Sequence, residues 1–433
     1  MNQYISHPEI KALLQKIQQA GLDKKAYSDI VDAEGYQYVD LVQEGGGVLG
    51  IALLGYTYIM EQAGIRFFSL AGASAGAINS MMMAGLGKVG EPVSLKTLEM
   101  LGSKNLFEIV DGDRRLWKLL QRFLNSESWR YPLFVWHIRR VHKAIMHHLG
   151  LNPGNDFLNW IDETLQDSGI RTLADLRHHR RQLPDLYNRK DGKQIKREAG
   201  LKIIASDITS KSKITFPEMA ELYWKEPDTV NPSLFVRASM SIPFFFEPLV
   251  VNNIPNAGAV EDPDLSREQT RWRKHTGYRG IIPKTVHFVD GGMLSNFPIN
   301  VFHRNGIPAK PTFGAKLSTW RTEAQEVKNI SNYSSAMIST MRQLHDYDFI
   351  LKNADYKQLI CSIDCDAQLD ENGNRKFNVL DFDMQAETKR ELFRLGAVKA
   401  VDFLTAFDWE HYKNTRKQLI QVTEQPATIN HEP

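Results

Sequence analysis

The chain has 433 residues, 42% hydrophobic and 24% charged, with a formal net charge of +2. That is ordinary globular composition with enough length for a large core, and it excludes a disordered chain or a polybasic nucleic-acid binder. Cys361 and Cys365 are the only cysteines, which excludes a disulfide scaffold and sets the expectation of a reducing, cytoplasmic compartment. Met1 to Leu22 is polar with helical spacing, has no apolar signal core, and no later run approaches transmembrane length. Residues 1–36 therefore read as a helical N-terminal extension.

Tyr38 to Gln43 reads as a strand, and Leu49 to Gln62 carries apolar residues at helical spacing until Gly64 stops it. Between them runs Gly45-Gly46-Gly47-Val48-Leu49-Gly50, a turn that aims several backbone N–H groups at one spot. Phosphate binding and an oxyanion hole both use that geometry. A dinucleotide site requires an acidic residue roughly 20 positions on, at the end of the next strand. Here that strand runs into Ala71-Gly72-Ala73-Ser74, with no carboxylate. No Gly-Lys-Ser or Gly-Lys-Thr closes the run, so the phosphate-loop reading fails as well.

Ile65 to Leu70 is apolar enough for a buried strand, and Ala77 to Ala84 reads as a helix closed by Gly85. Gly72-Ala73-Ser74-Ala75-Gly76 joins them in the Gly-x-Ser-x-Gly pattern of a nucleophile elbow, with the strand-before, helix-after context that pattern needs. Such a turn leaves no room for a Cβ at Gly72 or Gly76. It also sets the serine at a helix N-terminus, where developing negative charge is favoured. The plainer reading is a small-residue turn that only packs closely.

Residues 105–200 form an insertion in which Arg114, Trp117, Arg122, Trp129, Trp136, Arg139, Arg140 and Lys143 interleave aromatic and basic side chains at helical spacing. That pattern suits a helix on an anionic bilayer or a lid over an acyl groove, and equally an amphipathic helix packed on the core. Arg177 to Arg181 and Arg189 to Arg197 read as solvated basic loop. Met81 to Met83 and Ile242 to Phe246 are candidates for an acyl pocket, with plain core as the alternative. Residues 252–283 are loop-rich.

Lys284 to Val289 alternates as a strand and delivers Asp290 into the turn Asp290-Gly291-Gly292. Aspartate ordinarily titrates near about 4 and is a poor base. Partial desolvation and a hydrogen bond to a serine hydroxyl would equip it to take a proton. An Asx-turn is the structural alternative. Among 13 histidines, His287 is nearest to this turn, yet alternation puts it on the opposite face. His137, His142, His147 and His148 do not reproduce the His-Glu-x-x-His pattern. Asp364, Asp366, Asp370 and Asn372 miss the calcium-loop offsets, and 370–374 reads as a hairpin turn. No metal or cofactor is called for.

Taken together, the glycine run, the serine pentapeptide and the aspartate turn resemble the patatin-like lipid acyl hydrolases. Arg237-Ala238-Ser239-Met240-Ser241-Ile242-Pro243 with Phe246 and Pro248, and Ala205 to Thr209, are similar to that family's segments between serine and aspartate. Leu380 to Asp383 and the stretch Leu392 to Leu404 look like its closing strand and helix. The resemblance spans about 38 to 405, apart from 105–200. It implies a three-layer α/β fold with a mainly parallel central sheet, and a Ser–Asp dyad in place of a triad. Ser74 would be the nucleophile and Asp290 the base. The amides of Gly45, Gly46 and Gly47 would form the oxyanion hole, and Gly50, Gly72, Gly76, Gly291 and Gly292 would support the motifs. Two positions depart from the family pattern. Leu49 stands where Arg or Lys is common, and Glu44 where many relatives have glycine.

The expected organisation is an extension over 1–36, a catalytic domain over 37–405 with the 105–200 insertion, and a tail over 406–433. The expected activity is metal-independent cleavage of fatty-acyl esters of membrane lipids through an acyl-enzyme, with peripheral membrane contact and no nucleic acid. The alternatives are a soluble carboxylesterase or lysophospholipase, and a gated effector with dormant lipase activity.

Overall fold

The computed structural model describes residues 2–104, 108, 110–112, 146–259, 267–320, 324, 327, 330–371, 373 and 375–424. The basic aromatic stretch from Arg114 to Lys143 lies outside the described residues. In chain order the strands are β1 Ile30–Asp32, β2 Gln37–Gln43, β3 Ile65–Ala73, β4 Gly150–Asn152, β5 Leu186–Asn188 and β6 Leu201–Asp207. They continue with β7 Ser212–Phe216, β8 Phe244–Phe246, β9 Leu249–Asn252, β10 Thr285–Asp290, β11 Thr312–Lys316 and β12 Ile360–Ser362.

One large sheet dominates, in the order β12-β11-β2-β3-β6-β10-β9. Its four pairings from β12 to β6 are parallel, whereas β10 runs antiparallel to both β6 and β9. This is the mainly parallel α/β sheet expected from the sequence. Every residue of β2 and β3 is buried, which is what a parallel strand covered on both faces requires. Alternation explains the covering. Leu41 and Gln43 point to one face, toward helices Ile51–Gln62, Ala75–Gly85 and Ala386–Ala406. On that face Gln43 Nε2 donates to Ser80 Oγ at 3.1 Å, and Phe313 of β11 meets the Phe403 ring edge-on. The other face is covered by the chain after Asp290, where a Cβ on Gly314 would run into Phe297 and Ile299. The long helix Ile330–Lys352 packs outside that segment.

Several boundaries differ from the sequence reading. β3 continues through Ala73, because the small residues of the elbow still pair with β6. Residues 1–36 give helices Asn2–Ile5 and Pro8–Gln19 and then β1, which joins the sheet beside β2. Leu380 to Asp383 is turn, not strand, whereas the helix after it spans Ala386–Ala406. Residues 409–424 form a helix anchored by buried Trp409 and Tyr412. Arg177 to Arg180 ends the helix Leu173–Arg180, and Arg180 is buried with its guanidinium on the Phe68 carbonyl at 2.6 Å. Among the described residues no helix is long and apolar enough to cross a membrane.

Candidate active site

The C-terminal ends of β2 and β3 and the end of β10 deliver the three glycine-containing turns to one place. Ser74 follows β3 with φ 51° and ψ −119°, a conformation L-residues rarely adopt, and then starts the helix Ala75–Gly85. Crowding enforces the strain. A Cβ on Gly72 would strike the Gly76 carbonyl, and one on Gly76 would strike the Gln43 carbonyl. The Ser74 N–H is held by Ser239 Oγ at 3.0 Å, and the side chain is only 4% exposed.

Asp290 ends β10 at the head of a short 3-10 turn, Gly291–Met293. One carboxyl oxygen accepts the Gly292 N–H at 2.7 Å, and the Ser74 side chain stands close enough to favour the charged form of the same carboxylate. The Asx-turn and the contact to serine are thus both present, not alternatives. Burial pushes the Asp290 carboxyl above the usual carboxylate range, against the lowering effects of the Arg342 charge, Ser74 and the Gly292 amide. A carboxylate raised in this way beside a hydroxyl is equipped for general-base work.

The glycine run forms the third wall. Gly45 donates its N–H to the Asn296 carbonyl at 2.9 Å. That amide is engaged in holding the loop, which removes Gly45 from the expected set of oxyanion donors. The Gly46 and Gly47 N–H groups meet no acceptor among the described residues. Gly47 has φ +54°, and a Cβ there would run into the Val379 carbonyl. Gly50 sits against the Ala75 Cβ, and Gly291 against the Ile204 carbonyl. Backbone therefore closes off Gly47, Gly72, Gly76 and Gly291, whereas a Cβ at Gly292 would meet side-chain atoms of Asn296 and Asp290.

Glu44 turns away from the hole. Its carboxylate accepts the N–H groups of Leu317 at 2.6 Å and Ser318 at 2.8 Å, and lies 3.9 Å from Lys316 Nζ. A buried carboxylate so fully satisfied has no reason to enter the oxyanion site. Leu49 is 3% exposed and belongs to the core.

From Ser74 an apolar groove runs between Val48, Ile51, Ile78, Phe157, Ile242 and Phe382. Of the two candidate acyl-pocket segments, Ile242 lines the groove, whereas Met81 to Met83 are buried core. The segment Arg237 to Pro243 has a mechanical role that sequence alone leaves unspecified. Ser239 holds the Ser74 amide, and the Ser241 carbonyl accepts the Asp290 N–H at 2.8 Å. Arg237 ties the segment down through the carbonyls of Pro153 at 2.5 Å and Glu247 at 2.8 Å. His287 extends no bond to Ser74 or Asp290; its backbone N–H goes to Thr209 Oγ1 at 3.0 Å. Among the described residues no group of three or more His, Cys, Asp or Glu side chains has the geometry to hold a metal.

Sequence reasoning assigned no role to Asn296, Arg342 or Asp346. Asn296 Nδ2 donates to the Gly45 carbonyl at 3.0 Å and its Oδ1 accepts from Arg342 at 2.6 Å. Asp346 accepts from Ser295 Oγ at 2.6 Å and from the Phe297 N–H at 2.7 Å. Burial pushes its carboxyl up to about 7. The available signal was the four-residue spacing of Arg342 and Asp346, which puts two charges on one helix face.

A model of the patatin-like phospholipase family matches residues 41–303, a span that holds the glycine run, Ser74 and Asp290. The uncharacterized protein YqhO of Bacillus subtilis (strain 168) is 28% identical over 369 residues, covering 85% of this chain and 98% of that protein. Among solved structures, VipD from Legionella pneumophila aligns with a TM-score of 0.39 and 13% identity, over 88% of this chain and 70% of that one. A chain of the heterodimeric ExoU–SpcU complex from the type III secretion system of Pseudomonas aeruginosa aligns with a TM-score of 0.32 and 14% identity. There the match covers 85% of this chain and 51% of the other.

Proposed function

The chain belongs to the patatin-like phospholipase family and is an acyl-ester hydrolase, and from that premise we propose that Ser74 and Asp290 form its catalytic dyad, acting on membrane lipid esters. Asp290 takes the hydroxyl proton while Ser74 Oγ attacks the ester carbonyl. The oxyanion that develops is met by the Gly46 and Gly47 N–H groups, which need no reorganisation to receive it. Collapse of the tetrahedral intermediate expels the alcohol, to which Asp290 returns the proton, and leaves the acyl group on Ser74. Asp290 then deprotonates water, which attacks the acyl-enzyme, and as the acyl–Oγ bond breaks it returns that proton to Ser74 Oγ and the fatty acid is released.

One observation carries this reading: a strained, buried serine stands beside a buried carboxylate at the head of an apolar groove. The groove suits an acyl chain, because its lining is aliphatic and aromatic. Contact with a bilayer, by which such a chain would be drawn from the membrane, is part of the same proposal.

The test is fluorophosphonate labelling of the purified protein beside Ser74→Ala and Asp290→Asn. Labelling is expected to vanish in the first and to fall by roughly 10² to 10⁴ in the second. Equal labelling in all three would overturn the dyad. Hydrolysis of phospholipid vesicles against a dispersed short-chain ester then separates a lipid hydrolase from a soluble carboxylesterase, whose rate would not rise at the interface.

A further inference from the structure

Helix Ile330–Lys352 turns two charged side chains, Arg342 and Asp346, toward the chain that follows Asp290. Asp346 is occupied by Ser295 and Phe297, as described. Arg342 reaches further. Its Nη2 donates to Asn296 Oδ1 at 2.6 Å, and it lies 3.1 Å from the place a Cβ on Gly292 would occupy. Asn296 is in turn bonded twice to Gly45, donating to its carbonyl and accepting its N–H. A single guanidinium therefore stands over the turn that presents the base and, through one asparagine, braces the loop that presents Gly46 and Gly47.

The other charged groups around Asp290 have partners of their own. Glu44, just after β2, accepts from the N–H groups of Leu317 and Ser318 and from Asn296 Nδ2 at 3.3 Å; Asp207 of β6 accepts from Thr209, Ser210 and Tyr223. Arg237 is spent on Ser241, Pro153 and Glu247, and Lys213 of β7 meets His345 at 2.9 Å. His287, on β10 itself, lies on the opposite face of the strand. Among the described residues no carboxylate lies within ion-pair distance of Arg342, and the Asp290 carboxyl feels its charge.

We propose that Arg342 is a positioning residue of the hydrolase, locking the base turn to the oxyanion loop and supplying a positive charge that faces Asp290. The inference rests on the Ser–Asp reading and deepens it. Its electrostatic side agrees with the balance at Asp290, where the Arg342 charge is the largest influence opposing burial. Its geometric side follows from the planar fork of arginine, which a lysine does not reproduce. Arg342 acts through Asn296 and through its field, not by touching substrate. A guanidinium gripping a lipid phosphate would affect phospholipids and leave uncharged esters alone, and that difference is measurable.

The experiment follows the rate of fluorophosphonate labelling and of p-nitrophenyl butyrate and phosphatidylcholine hydrolysis against pH. It compares wild type, Arg342→Gln and Arg342→Lys, with Ser74→Ala and Asp290→Asn as controls. Removing the charge disfavours the ionised base, so the acidic limb of the Arg342→Gln profile is expected to move to higher pH. At about pH 6 the rate should fall roughly ten-fold, with kcat rather than KM affected, equally on the uncharged and the phospholipid substrates. Arg342→Lys is expected to keep the limb near its wild-type position and to lower the plateau. An unmoved limb in a folded Arg342→Gln protein overturns the proposal, as does a loss confined to phosphatidylcholine. Should Arg342→Gln fail to fold by circular dichroism, Arg342→Lys decides: a lowered plateau supports the proposal and an unchanged one overturns it. Labelling that survives Ser74→Ala would instead sink the dyad itself. Well-behaved controls with an indifferent Arg342 would sink only this inference.

Discussion

The two halves of the proposed site are built by different means. The half that holds the proposed nucleophile is local: β3, Ser74 and the helix Ala75–Gly85 are consecutive, and the glycine run that faces them is likewise one strand-to-helix turn. Backbone crowding at Gly72 and Gly76 is enough to set the serine. The base half is assembled from a distance. Asp290 is held by Ser241 on one side and overlooked by Arg342 on the other, and its turn is continued by a segment that Asp346 anchors. A turn that is defined by sterics is rigid in itself. One that is defined by side-chain bonds is only as rigid as the helix that carries them.

The largest expected effect breaks the first half. Gly76→Val puts a branched side chain where even a Cβ meets the Gln43 carbonyl. Backbone cannot give as a side-chain tip can, so a loss of about 3 kcal/mol or more is expected. Urea unfolding should show it, and fluorophosphonate labelling should disappear with it. A protein of wild-type stability that still labels would mean that the elbow is not set by sterics.

Gly47→Ala comes next and is confined to the hole. Gly47 combines a left-handed φ of +54° with a carbonyl, that of Val379, standing where the Cβ would go. The loop must shift to admit a methyl group, carrying the Gly46 and Gly47 N–H groups off their target. A fall in kcat of roughly 10² to 10³ is expected, with KM and the unfolding midpoint changed far less. A Gly47→Ala enzyme with normal kcat would remove these amides from the mechanism.

The same division explains what the sequence disclosed. Glycines that cannot be replaced, a serine between them, and an aspartate at the end of an alternating strand are local patterns. Strand β2, strand β3 and the two helices that follow them were legible from periodicity, because buried parallel strands and amphipathic helices write their burial into neighbouring residues. The Gly45 amide was misassigned because the acceptor that engages it, the Asn296 carbonyl, lies 251 residues away and leaves no trace beside it. Leu380 to Asp383 looks like a strand by its apolar and acidic alternation, yet it finds no strand to pair with and forms turns. Arg342 and Asp346 stand on an unremarkable helix whose relation to Asp290 exists only once the sheet has formed. The fate of Glu44 needed the structure for the same reason: its partners, Leu317 and Ser318, follow β11.

The smallest effect tests the base half without touching the dyad. Asp346 is 4% exposed, and burial pushes its carboxyl up to about 7 even though Ser295 and Phe297 favour the charged form. The unfolded chain titrates this group near about 4. Between those values the folded state binds the extra proton, so Asp346 contributes stability at low pH that is lost as pH rises through 7. In Asp346→Asn that titration is gone, while the amide oxygen accepts the Phe297 N–H and its NH₂ donates to a reoriented Ser295 hydroxyl. Wild type is therefore expected to lose roughly 2 to 3 kcal/mol relative to Asp346→Asn between about pH 5 and pH 8, read from urea midpoints at each pH. Parallel pH curves would show that the long helix holds its acid in the ordinary carboxylate range. The anchoring of the chain after Asp290 would then rest on ordinary carboxylate hydrogen bonds, with Arg342 left as the element that sets this half of the site apart.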